Sequence, residues 1–112
     1  MNVGNIAESL GLEVINQGSG METPVSSVEC CDLLSIAMGN LPPECAWVTV
    51  MSNINTLAVA SLTDAACVIL ALNTQVTDEF TGKAAETGIT VLRSEDGIFE
   101  TALAVHDLIC RE

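Results

Sequence analysis

An α/β domain with a largely parallel sheet of about four or five strands, flanked by helices, is what the sequence predicts. Three observations predict it. From about residue 25 onward, β-rich runs alternate with helical segments. One run, Ala65 to Leu72, is apolar throughout, the mark of a strand covered on both faces. The separators fit βα units as well: Gly11, Gly39-Asn40 and Gly88 close helical segments, while Asp32, Asn55 and Thr77-Asp78 open them. With 112 residues the chain has room for one domain, 1–112, around one core.

In order, Asn5 to Gly11 reads as a short helix closed by glycine at its left-handed end. Leu12 to Ile15 is a short strand, and 16–23 a polar, glycine-containing loop. Val25 to Cys31 is strand-like, and Asp32 is placed to cap a helix over Leu33 to Met38. Pro42-Pro43 extends the next loop, and Ala46 to Met51 is a clear β run. Asn55 caps the apolar helix Thr56 to Leu62, and Ala65 to Leu72 is the buried strand. Thr77-Asp78 caps Glu79 to Thr87, where Glu79 precedes Lys83 by one turn, the favourable order for an ion pair. Ile89 to Leu92 is a strand, and Ile98 to Cys110 the last helix.

Composition narrows the function. Lys and Arg number 3 against 15 Asp and Glu, a net charge of −12. Yet 49% of the residues are hydrophobic and only 16% charged, which excludes a disordered acidic tail. Lys83, Arg93 and Arg111 make no footprint for a nucleic acid, and an anionic membrane would repel the chain. The first residues have neither the basic nor the apolar region of a signal peptide. A soluble cytoplasmic protein is expected. The cysteines agree: Cys30, Cys31, Cys45, Cys67 and Cys110 are odd in number and irregular in spacing. With His106 they fit no standard zinc or iron–sulfur spacing, so free thiols in a reducing compartment are expected. His106, beside Asp107, reads as a surface or interface residue.

Catalytic motifs are missing. There is no phosphate-binding glycine loop, nucleophile elbow, carboxylate pair or HExxH motif, and no enzyme is predicted. In an open parallel sheet, ligands bind beyond the carboxyl ends of the strands. Those ends carry Asp32, Ser35, Ser52, Asn53, Asn55, Arg93 and Ser94, the candidate ligand-binding residues. Helix N-termini there offer N–H groups to an anion, and Arg93 is the one cationic clamp. A phosphorylated metabolite or an adenine nucleotide would suit such a rim. Asp32, Asn55 and Ser94 also have a plainer role as helix caps.

Two helices carry more apolar surface than a small monomer needs. Thr56 to Leu62 has no charged face, and Leu57, Ala58, Ala60 and Ser61 are candidate interface positions where another backbone can approach. The last helix has a core stripe of Ile98, Ala102, Val105 and Ile109, and beside it Phe99, Leu103 and Cys110. A homodimer or a docking face for a larger protein is expected.

Cys31-Asp32-Leu33-Leu34-Ser35, Trp47-Val48-Thr49 and Asn55 through Leu62 also resemble the DRTGG domain family. Ala66-Cys67-Val68-Ile69, Asp78-Glu79, Lys83-Ala84 and Gly88-Ile89 continue the likeness over nearly the whole chain. The resemblance implies an α/β module of the kind attached to phosphotransacetylases and placed between nucleotide-sensing domains of some inorganic pyrophosphatases. Such modules are similar to the N-terminal domain of HPr kinase/phosphorylase and accompany enzymes without supplying catalysis. Stand-alone versions occur in anaerobic bacteria, often encoded near iron-only hydrogenase and serine-kinase-like proteins. The chain departs from the family pattern at Ser26-Ser27, where the Gly-Gly turn would fall. It departs again at Met51 and Asn53, where relatives commonly have Gln and His.

The functional expectation is therefore a non-catalytic regulatory or interaction module, homodimeric, sensing a small phosphorylated metabolite and acting through a partner enzyme or kinase-like protein. An adenine-nucleotide-binding protein is the alternative, and an accessory protein for a redox or hydrogenase-type system the third reading. No cofactor or metal is called for.

Overall fold

The computed structural model describes residues 1–111 and contains ten elements in chain order. They are α1 Val3–Leu10, β1 Glu13–Asn16, β2 Ser27–Cys30, α2 Leu34–Asn40, β3 Cys45–Thr49, α3 Ile54–Leu62, β4 Cys67–Leu70, α4 Asp78–Thr87, β5 Val91–Arg93 and α5 Ile98–Cys110. The strands form a 5-stranded sheet in the order β1-β5-β4-β3-β2. The pairs β2–β3, β3–β4 and β4–β5 are parallel, and β1 adds antiparallel to β5. The predicted largely parallel α/β class is what the chain adopts. Its strands are shorter than the apolar runs: β4 spans Cys67–Leu70, with Ala66 and Ala71 at its ends still donating to the Cys45 and Thr49 carbonyls of β3.

Consecutive parallel strands are neighbours, so every crossover turns the same way. That puts α2, α3 and α4 on one face of the sheet, over Trp47, Val68, Leu70 and Val91, with Phe80 and Leu57 filling the space between. The other face, with Val48, Ile69 and Leu92, is covered by α1 and by α5, which lies over β2 and β3. The side-chain period of a strand, which sends successive residues to opposite faces, supplies both cores from the same apolar runs.

The loop between β1 and β2 returns across the start of β5 through two glycines. Gly18 has φ +56°, and a Cβ there would collide with the Gly88 carbonyl; one at Gly20 would lie 2.6 Å from Thr90 Oγ1. Thr90, buried, donates to the Gln17 carbonyl at 2.8 Å and accepts from the Gly20 amide at 2.9 Å, pinning the loop. Glycine is used because the backbones touch.

Two sequence expectations change here. Much of the apolar composition of α3 is used within the chain: α2 and α4 flank it and the sheet lies beneath it, while Ile54 and Leu62 stay exposed. Leu57 and Ala60 turn fully inward, so as interface positions they are withdrawn by burial, while Ala58 and Ser61 remain on the outer side. Lys83 pairs with Glu86 at 3.6 Å, one turn ahead, rather than with Glu79 behind it.

Candidate functional site

The carboxyl ends of the strands form a rim whose polar side chains mostly hold the rim itself. Asp32, just past β2, does not cap α2; Leu33 occupies that position without a side-chain bond. Its Oδ1 instead accepts from Thr49 Oγ1 at 2.7 Å and from the Val50 amide at 3.0 Å. The Trp47 indole donates to the Cys31 carbonyl at 2.9 Å. Together these bonds tie the ends of β2 and β3, which the parallel ladder leaves unpaired. Ser35 is exposed in the first turn of α2.

Asn53, not Asn55, caps α3. Its side-chain oxygen takes the amides of Asn55 and Thr56 at 2.9 and 3.3 Å. Those are the N–H groups an anion would have used. Ser52 Oγ donates to the Gln75 carbonyl at 3.0 Å, holding the loop that leaves β4. Thr77 caps α4, as predicted, through the Phe80 amide.

The second half of the rim lies where β4 and β5 end. There the chain leaves β4 toward α4 on one face and leaves β5 toward α5 on the other. Such a divergence opens a ligand crevice in open α/β sheets. Here it is zipped shut: the Leu72 amide donates to the Asp96 carbonyl at 2.7 Å, and the Asn73 amide to the Ser94 carbonyl at 2.8 Å. Leu72 and Asn73 adopt φ of 56° and 49° to make those bonds. Two adjacent non-glycine residues in the left-handed region are unusual, and each stores about 1 kcal/mol or more.

Arg93 is engaged as well. Nε and Nη2 donate to Glu13 Oε1 at 3.1 and 2.8 Å, across the β5–β1 pair, and Nη1 donates to the Thr74 carbonyl at 3.2 Å. Its side chain is only 17% exposed. Ser94 is buried, shares a 2.8 Å hydroxyl bond with Thr101 and accepts from the Asp96 amide, so it anchors α5 from below rather than capping it; Gly97 is the cap. What remains open beside Arg93 is a cleft of about 240 Å³ that also bears Glu13, Glu95 and Asp96. Those carboxylates oppose a phosphate.

The structure thus splits the predicted site. Asp32, Ser52 and Asn53 serve the β2–β3 side and the loop after β4, and Arg93 and Ser94 serve the β5–β1 side. A second cleft, of about 190 Å³, lies at the opposite end of the sheet and has no local signal in the sequence. Its walls include Ser19, Thr23, Ser61, Asp64 and Thr90, brought together only by the close approach of the glycine loop. Another unforeseen contact is on α5: Cys110 Sγ lies 3.4 Å from His106 Nε2, one turn away, both exposed.

Ser26 and Ser27 differ in fate. Ser26 Oγ donates to Glu44 Oε1 at 3.1 Å, while Ser27 Oγ is sealed from solvent with no hydrogen-bond partner. Burying such a group costs about 1–3 kcal/mol, a penalty glycine would not incur.

The thiols are scattered. Cys45 and Cys67 are buried, and burial is the main cause that pushes their pKa up, to about 11 and about 12. The Glu29 carboxylate adds to the rise at Cys45. Cys30, at the outer strand, is raised by partial burial first and then by Asp32 and Glu29. None of these three is turned into a ready thiolate nucleophile by its surroundings. No group of three or more metal-ligating side chains is assembled among the described residues. No described helix is long and apolar enough to cross a membrane.

The architecture defines a class by its fold, an α/β module of DRTGG-like fold. Among solved structures it is similar to the CBS and DRTGG domains of the regulatory region of Clostridium perfringens pyrophosphatase, a region complexed with its activator diadenosine tetraphosphate. The TM-score is 0.75 at 13% identity, over 93% of this chain and 45% of that one. This chain therefore spans less than half of the similar region, and the likeness is one of fold. No protein-family model and no curated protein matches the chain.

Proposed function

We propose that the chain is a non-catalytic regulatory module that acts through contact with a partner enzyme. One observation carries this reading: along the rim where an α/β sheet would hold a substrate, the polar groups are spent on the rim's own hydrogen bonds, from Asp32–Thr49 to Leu72–Asp96, and the cleft left beside Arg93 bears carboxylates. The fold it shares with a regulatory region supports it. The test is to capture enzymes from native extract on the immobilised chain and assay each with and without the free chain. A change in the partner's rate supports the reading; a partner whose rate ignores the chain, or turnover by the chain alone, removes it.

Sensing of a phosphorylated metabolite, specifically an adenine nucleotide, is the second reading, favoured by the diadenosine tetraphosphate on the similar regulatory region. Thermal unfolding with inorganic phosphate, AMP, ADP, ATP and diadenosine tetraphosphate decides it. A ligand at about 100 times its Kd adds about 2.7 kcal/mol to stability. Arg93→Ala would abolish the shift if the cleft beside β5 is the site. No shift with any of the five leaves contact as the only route. For the homodimer expectation, exposed apolar residues remain on both α5 and α3, and sedimentation equilibrium reads it directly.

A further inference from the structure

We propose that the outward face of α5 docks a basic amphipathic helix of another protein; the proposal rests on the regulatory reading above and names its contact surface. The sheet side of α5 is Thr101, Ala102, Val105 and Leu108, all buried. A second line, Phe99, Leu103, His106 and Cys110, runs the length of the helix on the exposed side. Steps of four, three and four residues put these four on one stripe, the spacing by which one helix packs along another. Phe99 is 67% exposed and Leu103 44%, although burial of each would be favourable by about 1.5–3 kcal/mol. No described element covers them.

The charge around the stripe selects its occupant. Glu100 and Asp107 flank it on the remaining polar face, and Glu95 and Asp96 precede the helix. Lys83 and Arg93 are bound to Glu86 and Glu13 elsewhere, which leaves Arg111 at the far end as the cation of this face. A second copy would bring another such acidic rim and another charge of −12 to the same seam. Like charges facing across a contact oppose it, whereas a helix with an apolar stripe between lysines or arginines complements both features. Glu100 and Asp107 are the chain neighbours of Phe99 and His106, so their charges lie beside the stripe, and charge acts over roughly 8 Å at physiological salt.

The experiment uses the whole chain with a synthetic leucine–lysine amphipathic helix and a leucine–glutamate helix of identical apolar face. Binding is read by fluorescence anisotropy, and the site by NMR shifts and by protection of Cys110 from iodoacetamide. The lysine helix is expected to bind, shift α5 resonances and shield Cys110, while the glutamate helix does not. Phe99→Ser with Leu103→Ser, which leaves every charge in place, weakens binding by about tenfold or more. Glu100→Lys with Asp107→Lys weakens it while keeping the apolar stripe. Binding that ignores the serine variant is nonspecific ionic attraction and overturns the proposal, as does absence of binding or a footprint away from α5. A wild-type dimer that the serine variant converts to monomer also overturns it, in favour of a second copy. Should the peptide fail while the chain still alters a captured enzyme, this surface is wrong and the regulatory reading stands.

Discussion

Helices α3 and α5 are similar in sequence and opposite in circumstance. Both are apolar around most of their circumference, and α3 lacks any charged residue. In the fold, α3 is the middle helix of a three-helix layer: Leu57, Val59 and Ala60 are buried against α2, α4 and the sheet, while Ile54 and Leu62 near its two ends stay exposed. Helix α5 shares its face of the sheet with the short α1 alone, so Phe99 and Leu103 are left in solvent. Hydrophobicity is a property of the segment, whereas coverage is a property of its neighbours. An apolar composition is informative about a partner only where the neighbours leave it exposed.

The largest expected effect tests the α3 side of that contrast. Leu57→Ala should destabilise by about 2–5 kcal/mol in urea unfolding, since it leaves a cavity beneath α3. A loss under about 1 kcal/mol would mean the helix is not seated as described.

The alkaline limb tests the closeness of the core around β3 and β4. Cys45 and Cys67 have folded pKa values raised from 9.0 to about 11 and about 12. Below pH 9 both states hold the protons and stability is unaffected. Above it the unfolded chain loses them first, so stability falls as pH rises from 9 toward 11–12, by up to about 1.4 kcal/mol per pH unit per thiol. Replacing both cysteines with alanine should flatten that limb of the urea midpoint against pH, whatever it does to the midpoint at neutrality. An unchanged slope would show that the thiols are not sealed.

Smaller effects come from the rim and the orphan hydroxyl. Asp32→Ala should cost about 1–3 kcal/mol by freeing Thr49 Oγ1 and the Val50 amide. Ser27→Ala should instead stabilise by about 1 kcal/mol, because it removes a buried group that has no partner. Loss of stability there would mean that the hydroxyl is bonded in solution. Smallest of all is Phe99→Ser, expected within about 0.5 kcal/mol of wild type in the isolated chain. A large loss would show that α5 is covered by something after all and would dissolve the contrast with α3.

The predicted site and the observed one differ for a reason visible in single residues. Asp32, Asn55 and Ser94 each precede a predicted helix, and local spacing made all three caps. In the structure the groups that claim Asp32 and Ser94 are Thr49 and Thr101, and Asn53 takes the place expected of Asn55. Thr49 is distant in sequence and adjacent only across the β2–β3 ladder, so no local pattern reports it. Arg93 was identified as the one cation of the rim, but its partner Glu13 comes from β1, which joins the sheet at its far edge.

By itself the sequence determined the class of fold and the position of nearly every element, because the period of apolar residues and the glycine stops are local signals. It also set the net charge, and with it the exclusion of a nucleic-acid footprint. Only the tertiary structure decided that Leu57 and Ala60 face inward, that the crevice between β4 and β5 is closed and that Arg93 is held. It also decided which apolar residues stay in solvent, Phe99 and Leu103 on α5 and Ile54 and Leu62 on α3. The reason is physical: hydrogen bonding and burial are satisfied by whichever groups the topology makes neighbours, and that choice is made across the sheet rather than along the chain.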